Sequence, residues 1–134
     1  MAKLTETIMN DFEKARPWAF ATSSAEGEPN VCLLGIGKLV DSETIWLVDN
    51  YMKKTLANIK ENPRGSIMVH SGDTEGSWQI KGDLELVSEG PDYEEARKMT
   101  KERNEKLPAR TLIVFRVTEA YNVKSGDDAG AKVL

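Results

Sequence analysis

The sequence predicts a small, mainly β domain in which mostly antiparallel strands form a barrel and helices lie at its periphery. Six or seven short stretches have strand patterns and are separated by turn-forming residues. Only one strand–helix–strand unit is visible, which argues against a parallel sheet. The length of 134 residues fits one domain, 1–134, that buries a core without disulfides or a metal.

Composition narrows the class of protein. Hydrophobic residues make up 40% and charged residues 30% of the chain, which is ordinary for a globular protein. No apolar run is long enough to span a bilayer and no signal-peptide segment is visible, so we expect a cytoplasmic protein that does not insert into membranes. The net charge of −4, without a basic stripe, argues against a nucleic-acid partner. One cysteine and one histidine argue against a Cys/His metal site.

The first element is a helix. Apolar residues such as Ile8 and Phe12 recur at helical spacing and predict a helix over roughly Thr5–Ala15. Pro17 ends it, and large side chains alternate over residues 18–22, which predicts the first strand.

The second strand is predicted to run from Asn30 to Leu39, after a turn over residues 23–29. It is apolar at successive positions, which is typical of a strand buried on both faces. Gly35 and Gly37 indicate a bend or a close backbone approach within it.

The remaining elements follow from alternation, helical spacing and proline breaks. They are a strand over 44–49, a helix over 52–61, strands over 65–71 and 77–87, a charged helix over 92–106, and a strand over 111–117 that continues toward 123. From about residue 124 the chain is small and polar, and we interpret it as a tail.

The most informative stretch joins the third strand to the second helix. Lys53, Lys54 and Thr55 open the helix, where free N–H groups and the helix dipole favour an anion. A phosphate ligand would explain two lysines placed against the dipole. Alternatively, Asp49 compensates them, or the lysines only solvate an exposed helix face.

Other reactive residues are weaker candidates. No phosphate-binding glycine loop or hydrolase motif is present, so any catalysis is expected to use a cofactor. His70 and Cys32 lack an evident catalytic partner in sequence. The three tryptophans fit core packing better than ligand stacking; they are Trp18, Trp46 and Trp78.

Several motifs occur in a recognisable order. They are Ala21-Thr22, Gly27-Glu28-Pro29-Asn30-Val31, Ile45-Trp46-Leu47-Val48-Asp49, Lys54-Thr55-Leu56-Ala57-Asn58-Ile59 with Asn62-Pro63, and Ile80-Lys81-Gly82. Together they resemble the pyridoxamine-phosphate-oxidase-like family of FMN-binding split barrels, over roughly residues 12–117. The stretch Lys54–Pro63 is the most specific part.

This resemblance implies a six-stranded antiparallel split barrel and a homodimer with FMN at the subunit interface. It places the phosphate at Lys54 and Thr55, beside Lys53. The flavin ring and ribityl chain would follow two strands, at Asn30, Val31, Cys32 and at Leu47, Val48, Asp49. Further contacts would come from Ser77, Trp78, Gln79 or Lys81.

Two departures argue against vitamin B6 oxidation. The Arg-x-His-type residues that hold substrate in true pyridoxamine phosphate oxidases are missing, and Lys54-Thr55 stands where those enzymes have arginine–lysine. The chain is more similar to small prokaryotic FMN-binding proteins. We therefore expect an FMN-dependent oxidoreductase with an unidentified donor and acceptor, and assign no catalytic residue. A flavin carrier or sensor, or a relative that binds F420 or haem, remains an alternative.

Overall fold

The computed structural model describes residues 2–134 and contains a curled, seven-stranded antiparallel sheet with three helices. The helices are α1 Glu6–Lys14, α2 Lys54–Glu61 and α3 Pro91–Arg103. The strands are β1 Trp18–Ser23, β2 Pro29–Leu34, β3 Gly37–Leu39, β4 Thr44–Asp49, β5 Arg64–Val69, β6 Trp78–Val87 and β7 Thr111–Asn122. The predicted mainly β, antiparallel fold is confirmed, with one strand more than the six expected. Met1 of the predicted domain 1–134 lies outside the described residues.

The additional strand arises because the predicted strand Asn30–Leu39 is divided. The sheet order is β2-β1-β5-β6-β7-β4-β3, so β2 and β3 form its two opposite edges. The guanidinium of Arg16 donates to the carbonyl oxygens of Gly35 at 2.5 Å and Gly37 at 3.2 Å. These bonds hold the chain where it crosses from one edge to the other.

The expected burial of β2 on both faces is also wrong for a single chain. Val31 is 65% and Leu33 73% exposed, whereas Leu34 is buried. Both exposed side chains lie on the outer face of the sheet, in register with Ala21 and Ala19 of β1. Most of each of these two side chains is therefore open to solvent in the single chain.

The main core lies inside the curled sheet and is capped by α1. Thr5 caps α1 by accepting from the Ile8 N–H at 3.2 Å. The rings of Phe12 and Trp18 stack with centroids 4.3 Å apart, and the Trp18 indole donates to the Phe12 carbonyl at 2.9 Å. A smaller cluster joins α3 to β4 and β7 around the buried Trp46. Among residues 2–134, no helix is long and apolar enough to cross a bilayer.

The segment after β7 folds back along that strand. Gly130 donates to the Asn122 carbonyl at 2.7 Å, and Val133 donates to the Ala120 carbonyl at 2.8 Å. Leu134 packs against the main core.

Candidate functional site

A cavity of about 490 Å³ lies where edge strand β2 faces the end of β4 and the start of α2. Its volume falls within the usual range of small-molecule sites. It is lined by Asn30, Val31, Cys32, Leu33, Leu34, Gly35, Ile36, Val48, Asn50, Tyr51, Met52, Lys53, Lys54, Thr55 and Leu107. Seven of the predicted contact residues therefore meet at one place: Asn30, Val31, Cys32, Val48, Lys53, Lys54 and Thr55.

The N-terminus of α2 opens into this cavity without a compensating acid. Within residues 2–134, Lys53 makes no side-chain capping bond, and the first turn contains no acidic residue. Lys53 and Lys54 are exposed, and neither forms an ion pair with any residue of the range 2–134. Free N–H groups, the helix dipole and two ammonium groups thus create a positive field that suits an anion.

Asp49 does not compensate those lysines. Its side chain is fully buried, and its Oδ1 accepts from the guanidinium of Arg110 and from the Met52 N–H, both at 2.9 Å. Arg110 also donates to the Met52 carbonyl at 2.7 Å, so the pair fixes the turn before α2. Asp49 therefore shapes the junction while Arg110 carries the balancing charge.

A buried polar cluster lies beneath the first turn of α2. Asn30 Nδ2 donates to Thr55 Oγ1 at 2.9 Å, and Asn58 Nδ2 donates to Thr22 Oγ1 at 3.1 Å. Thr22 and Asn30 are directly paired across β1 and β2, and their side chains are 3.5 Å apart at Oγ1 and Nδ2. Asn58 and Thr22 belong to the recognised motifs, but neither was predicted as a site residue, because their role depends on contacts between α2 and the first two strands.

The rest of the cavity provides apolar walls and strand backbone. Ile36, Val48 and Leu107 offer apolar surface, and the partly buried Cys32 also lines the cavity. As an edge strand, β2 presents unpaired N–H and C=O groups on its outer side. Tyr51 is 67% exposed at the lining. Leu47, by contrast, is fully buried in the main core.

The predicted contacts in β6 and just before it lie outside this cavity in the single chain. The Trp78 indole donates to Asp11, and Ser77 Oγ lies 2.8 Å from His70 Nδ1. Gln79 is in register with Met68 of β5, on the outer face. Lys81 lies on the same face, with its ammonium 5.3 Å from the Tyr121 ring centroid.

Comparison with known proteins finds one matching family. Residues 4–124 match the family Pyridoxamine 5'-phosphate oxidase. The chain is also 35% identical over 132 residues to an uncharacterized protein of Methanocaldococcus jannaschii, an alignment that covers 97% of this chain and 87% of that protein.

Solved structures with the same fold include HupZ of Group A Streptococcus, with a TM-score of 0.79, 23% identity and coverage of 95% of this chain and 99% of that one. An FMN-binding protein of Syntrophomonas wolfei gives a TM-score of 0.72 and 19% identity, covering 89% and 85%. An F420 reductase (0.67, 22%, covering 87% and 98%) and HutZ, the haem storage protein of Vibrio cholerae (0.64, 17%, covering 90% and 95%), share the fold as well. At these identities the likeness concerns the fold alone.

Proposed function

Because this chain belongs to the pyridoxamine 5'-phosphate oxidase family, we propose that it binds FMN and passes hydride or electrons between a reduced donor and an acceptor. One observation carries the proposal. The N-terminus of α2, with Lys53, Lys54 and Thr55, opens without a compensating acid, among residues 2–134, into a cavity of about 490 Å³.

The anionic end of FMN fits the helix end of the cavity. A phosphate there would accept hydrogen bonds from the backbone N–H groups of the first turn and from the ammonium of Lys54. Lys53 adds charge beside it. A neutral ligand would leave this positive field unbalanced.

The flat ring fits the opposite part of the cavity. Val48, Ile36 and Leu107 supply apolar contact, and the outer edge of β2 at residues 31–32 supplies N–H and C=O groups for the polar edge of a flavin. FMN, when bound, supplies the hydride and single-electron chemistry, and the chain's residues bind and orient it. We assign no proton donor.

We further propose a homodimer that is formed through the outer face of the sheet. Val31 and Leu33 on β2 and Met68 on β5 expose apolar side chains on this face, and the two alanines of β1 lie between them in register. A second copy would remove this apolar surface from water. The same face carries Gln79 and Lys81, so the second copy would bring these predicted contacts to an interface near the cavity.

Titration of the purified protein with FMN tests the proposal. We expect saturable quenching of flavin fluorescence and a flavin absorption spectrum on the protein after removal of free ligand. Oxidation of NADH or NADPH with added acceptors then measures turnover. Protein that stays colourless and does not bind FMN overturns the proposal, and bound FMN without turnover favours a carrier or sensor.

Binding of F420 or haem is the second candidate, because proteins of both kinds share this fold. The cavity offers haem no imidazole, since the single histidine, His70, lies after β5 and its ring bonds Ser77. F420, a deazaflavin, could use the same anion site. Haem titration that produces a Soret band, or tighter binding of F420 than of FMN, would favour this candidate.

A further inference from the structure

One hydrogen bond beneath α2 has a direction that its two partners determine. Thr55 Oγ1 accepts a hydrogen bond from the Asn30 amide at 2.9 Å, and the Thr55 side chain is only 3% exposed. An amide nitrogen can only donate, so the hydroxyl oxygen acts as the acceptor in this contact. The hydroxyl still carries its own proton, and no acceptor for that proton is found among residues 2–134.

The cavity lies next to this hydroxyl. Thr55 and Asn30 both line it, and Thr55 occupies the first turn of α2, beside the proposed phosphate position. A phosphate oxygen without a proton can only accept, so the Thr55 hydroxyl can donate to it while its own oxygen accepts from Asn30. We propose that Asn30 is a positioning residue that makes the Thr55 hydroxyl a dedicated donor to a phosphate group; this rests on the proposed FMN function.

Two further residues hold the amide in place. The second N–H of Asn30 points to Thr22 Oγ1 at 3.5 Å, and Asn58 donates to the same oxygen at 3.1 Å. Thr22 and Asn58 are buried and neither lines this cavity, so both act on the ligand only through Asn30 and Thr55. A buried polar cluster whose members bond one another restricts their rotation.

The alternative is that the cluster only packs α2 onto the strands. FMN and riboflavin separate the two possibilities, because riboflavin has the same ring and ribityl chain without the phosphate. A packing role alters both affinities together. A positioning role for the phosphate alters the FMN affinity and leaves riboflavin within about twofold.

The experiment is a double-mutant cycle read by flavin fluorescence. Asn30→Leu removes the donating amide at similar size, and Thr55→Val removes the hydroxyl. We expect Thr55→Val to weaken FMN roughly tenfold and Asn30→Leu roughly fivefold, with riboflavin hardly changed. In the Thr55→Val background, Asn30→Leu should then have no further effect on the ratio of FMN to riboflavin affinity.

Thr22→Val tests the positioning role through a residue that does not line this cavity. It also replaces Asn30→Leu in the experiment if that variant does not fold. We expect a loss of FMN affinity of roughly threefold that Thr22→Ser restores and that vanishes in the Thr55→Val background. Equal losses for both flavins, or a Thr22 effect that persists without the Thr55 hydroxyl, overturn the inference. Wild-type protein that binds neither flavin would instead overturn the proposed function.

Discussion

The indole Nε1–H of Trp78, at the start of β6, donates a 2.8 Å hydrogen bond to the carboxylate of Asp11 on α1, which is fully buried. The same carboxylate accepts the backbone N–H groups of Glu75 at 2.8 Å and Gly76 at 3.0 Å. One side chain thus fixes α1, the loop before β6 and the Trp78 ring to one another.

Replacing Asp11 should therefore destabilise the fold. We expect Asp11→Ala to lower the free energy of unfolding by about 3 kcal/mol, because three donors lose a charged acceptor. Urea unfolding measures the change. Asp73→Ala, an exposed acid in the same loop, is the matched control and should change it by less than about 0.5 kcal/mol; equal effects would contradict the pinning role.

The same carboxylate should make stability fall in acid. Burial alone would raise the pKa of Asp11, but the bonds from Trp78 and from the backbone of Glu75 and Gly76 hold it below its ordinary value. A lowered folded-state pKa adds stability that is complete above the unfolded pKa of about 3.9 and is lost as pH falls through the folded value. The free energy of unfolding, measured between about pH 6 and pH 2, should show this loss. Asp11→Asn should make that free energy depend less on pH. An unchanged slope in the variant would argue against Asp11 as its source.

The phosphate anchor is tested by two lysines of the same helix. Lys54→Ala should weaken FMN by roughly 1.5–3 kcal/mol, because a charge-assisted bond at the start of α2 is lost. Lys60→Ala, in the last turn, is the control and should have little effect. Fluorescence titration measures both, and equal losses would mean that the lysines only solvate the helix.

Self-association should depend on the outer face of β2. Leu33→Lys places a charge where the proposed partner would pack, so the mass measured by light scattering should fall from two chains to one. Val40→Lys changes another exposed apolar residue, 44% accessible, outside this face. A monomeric wild type would contradict the dimer, and dissociation by both variants would point to nonspecific association.

The centre of the sheet contains a position that only glycine fits. A Cβ on Gly82, at the irregularity in the β6–β7 pairing, would lie 2.4 Å from Phe115 Cε1 and 2.6 Å from the Arg116 carbonyl oxygen. Gly82→Ala should cost about 1–3 kcal/mol of unfolding free energy in urea. Gly72→Ala, with nothing within 4 Å, should be nearly neutral; a neutral Gly82→Ala would show that the Phe115 ring can move aside.

Local sequence patterns were sufficient to predict most of the helices and strands. Alternation in β6, helical spacing in α1 and the proline after α2 place these elements within a few residues of their observed bounds. Gly35 and Gly37 indicated a bend within the predicted strand 30–39, but the crossing from one edge of the sheet to the other depends on Arg16, which bonds both carbonyl oxygens from another part of the chain. No sequence periodicity reports such a contact.

In the candidate site, too, some features could be predicted from local sequence and others depend on tertiary contacts. Lys53, Lys54 and Thr55 are adjacent in sequence, so their common position at a helix start could be predicted. The exposure of Val31 could not be predicted, because an apolar residue on an exposed sheet face has the same sequence pattern as one in the core. The cluster of Thr22 and Asn58 depends on how α2 packs, which is a tertiary feature.

The two edges of the sheet, β2 and β3, are consecutive in the chain and joined only by Gly35 and Ile36. Three Cα–Cα steps separate Leu34 from Gly37 and span at most roughly 11 Å, so the covalent link limits how far the edges can separate at that end. At the other end, the bridge from β2 to α2 is the hydrogen bond from Asn30 to Thr55. The cavity is therefore closed by a covalent link at one end and by a side-chain hydrogen bond at the other, where the anion site lies.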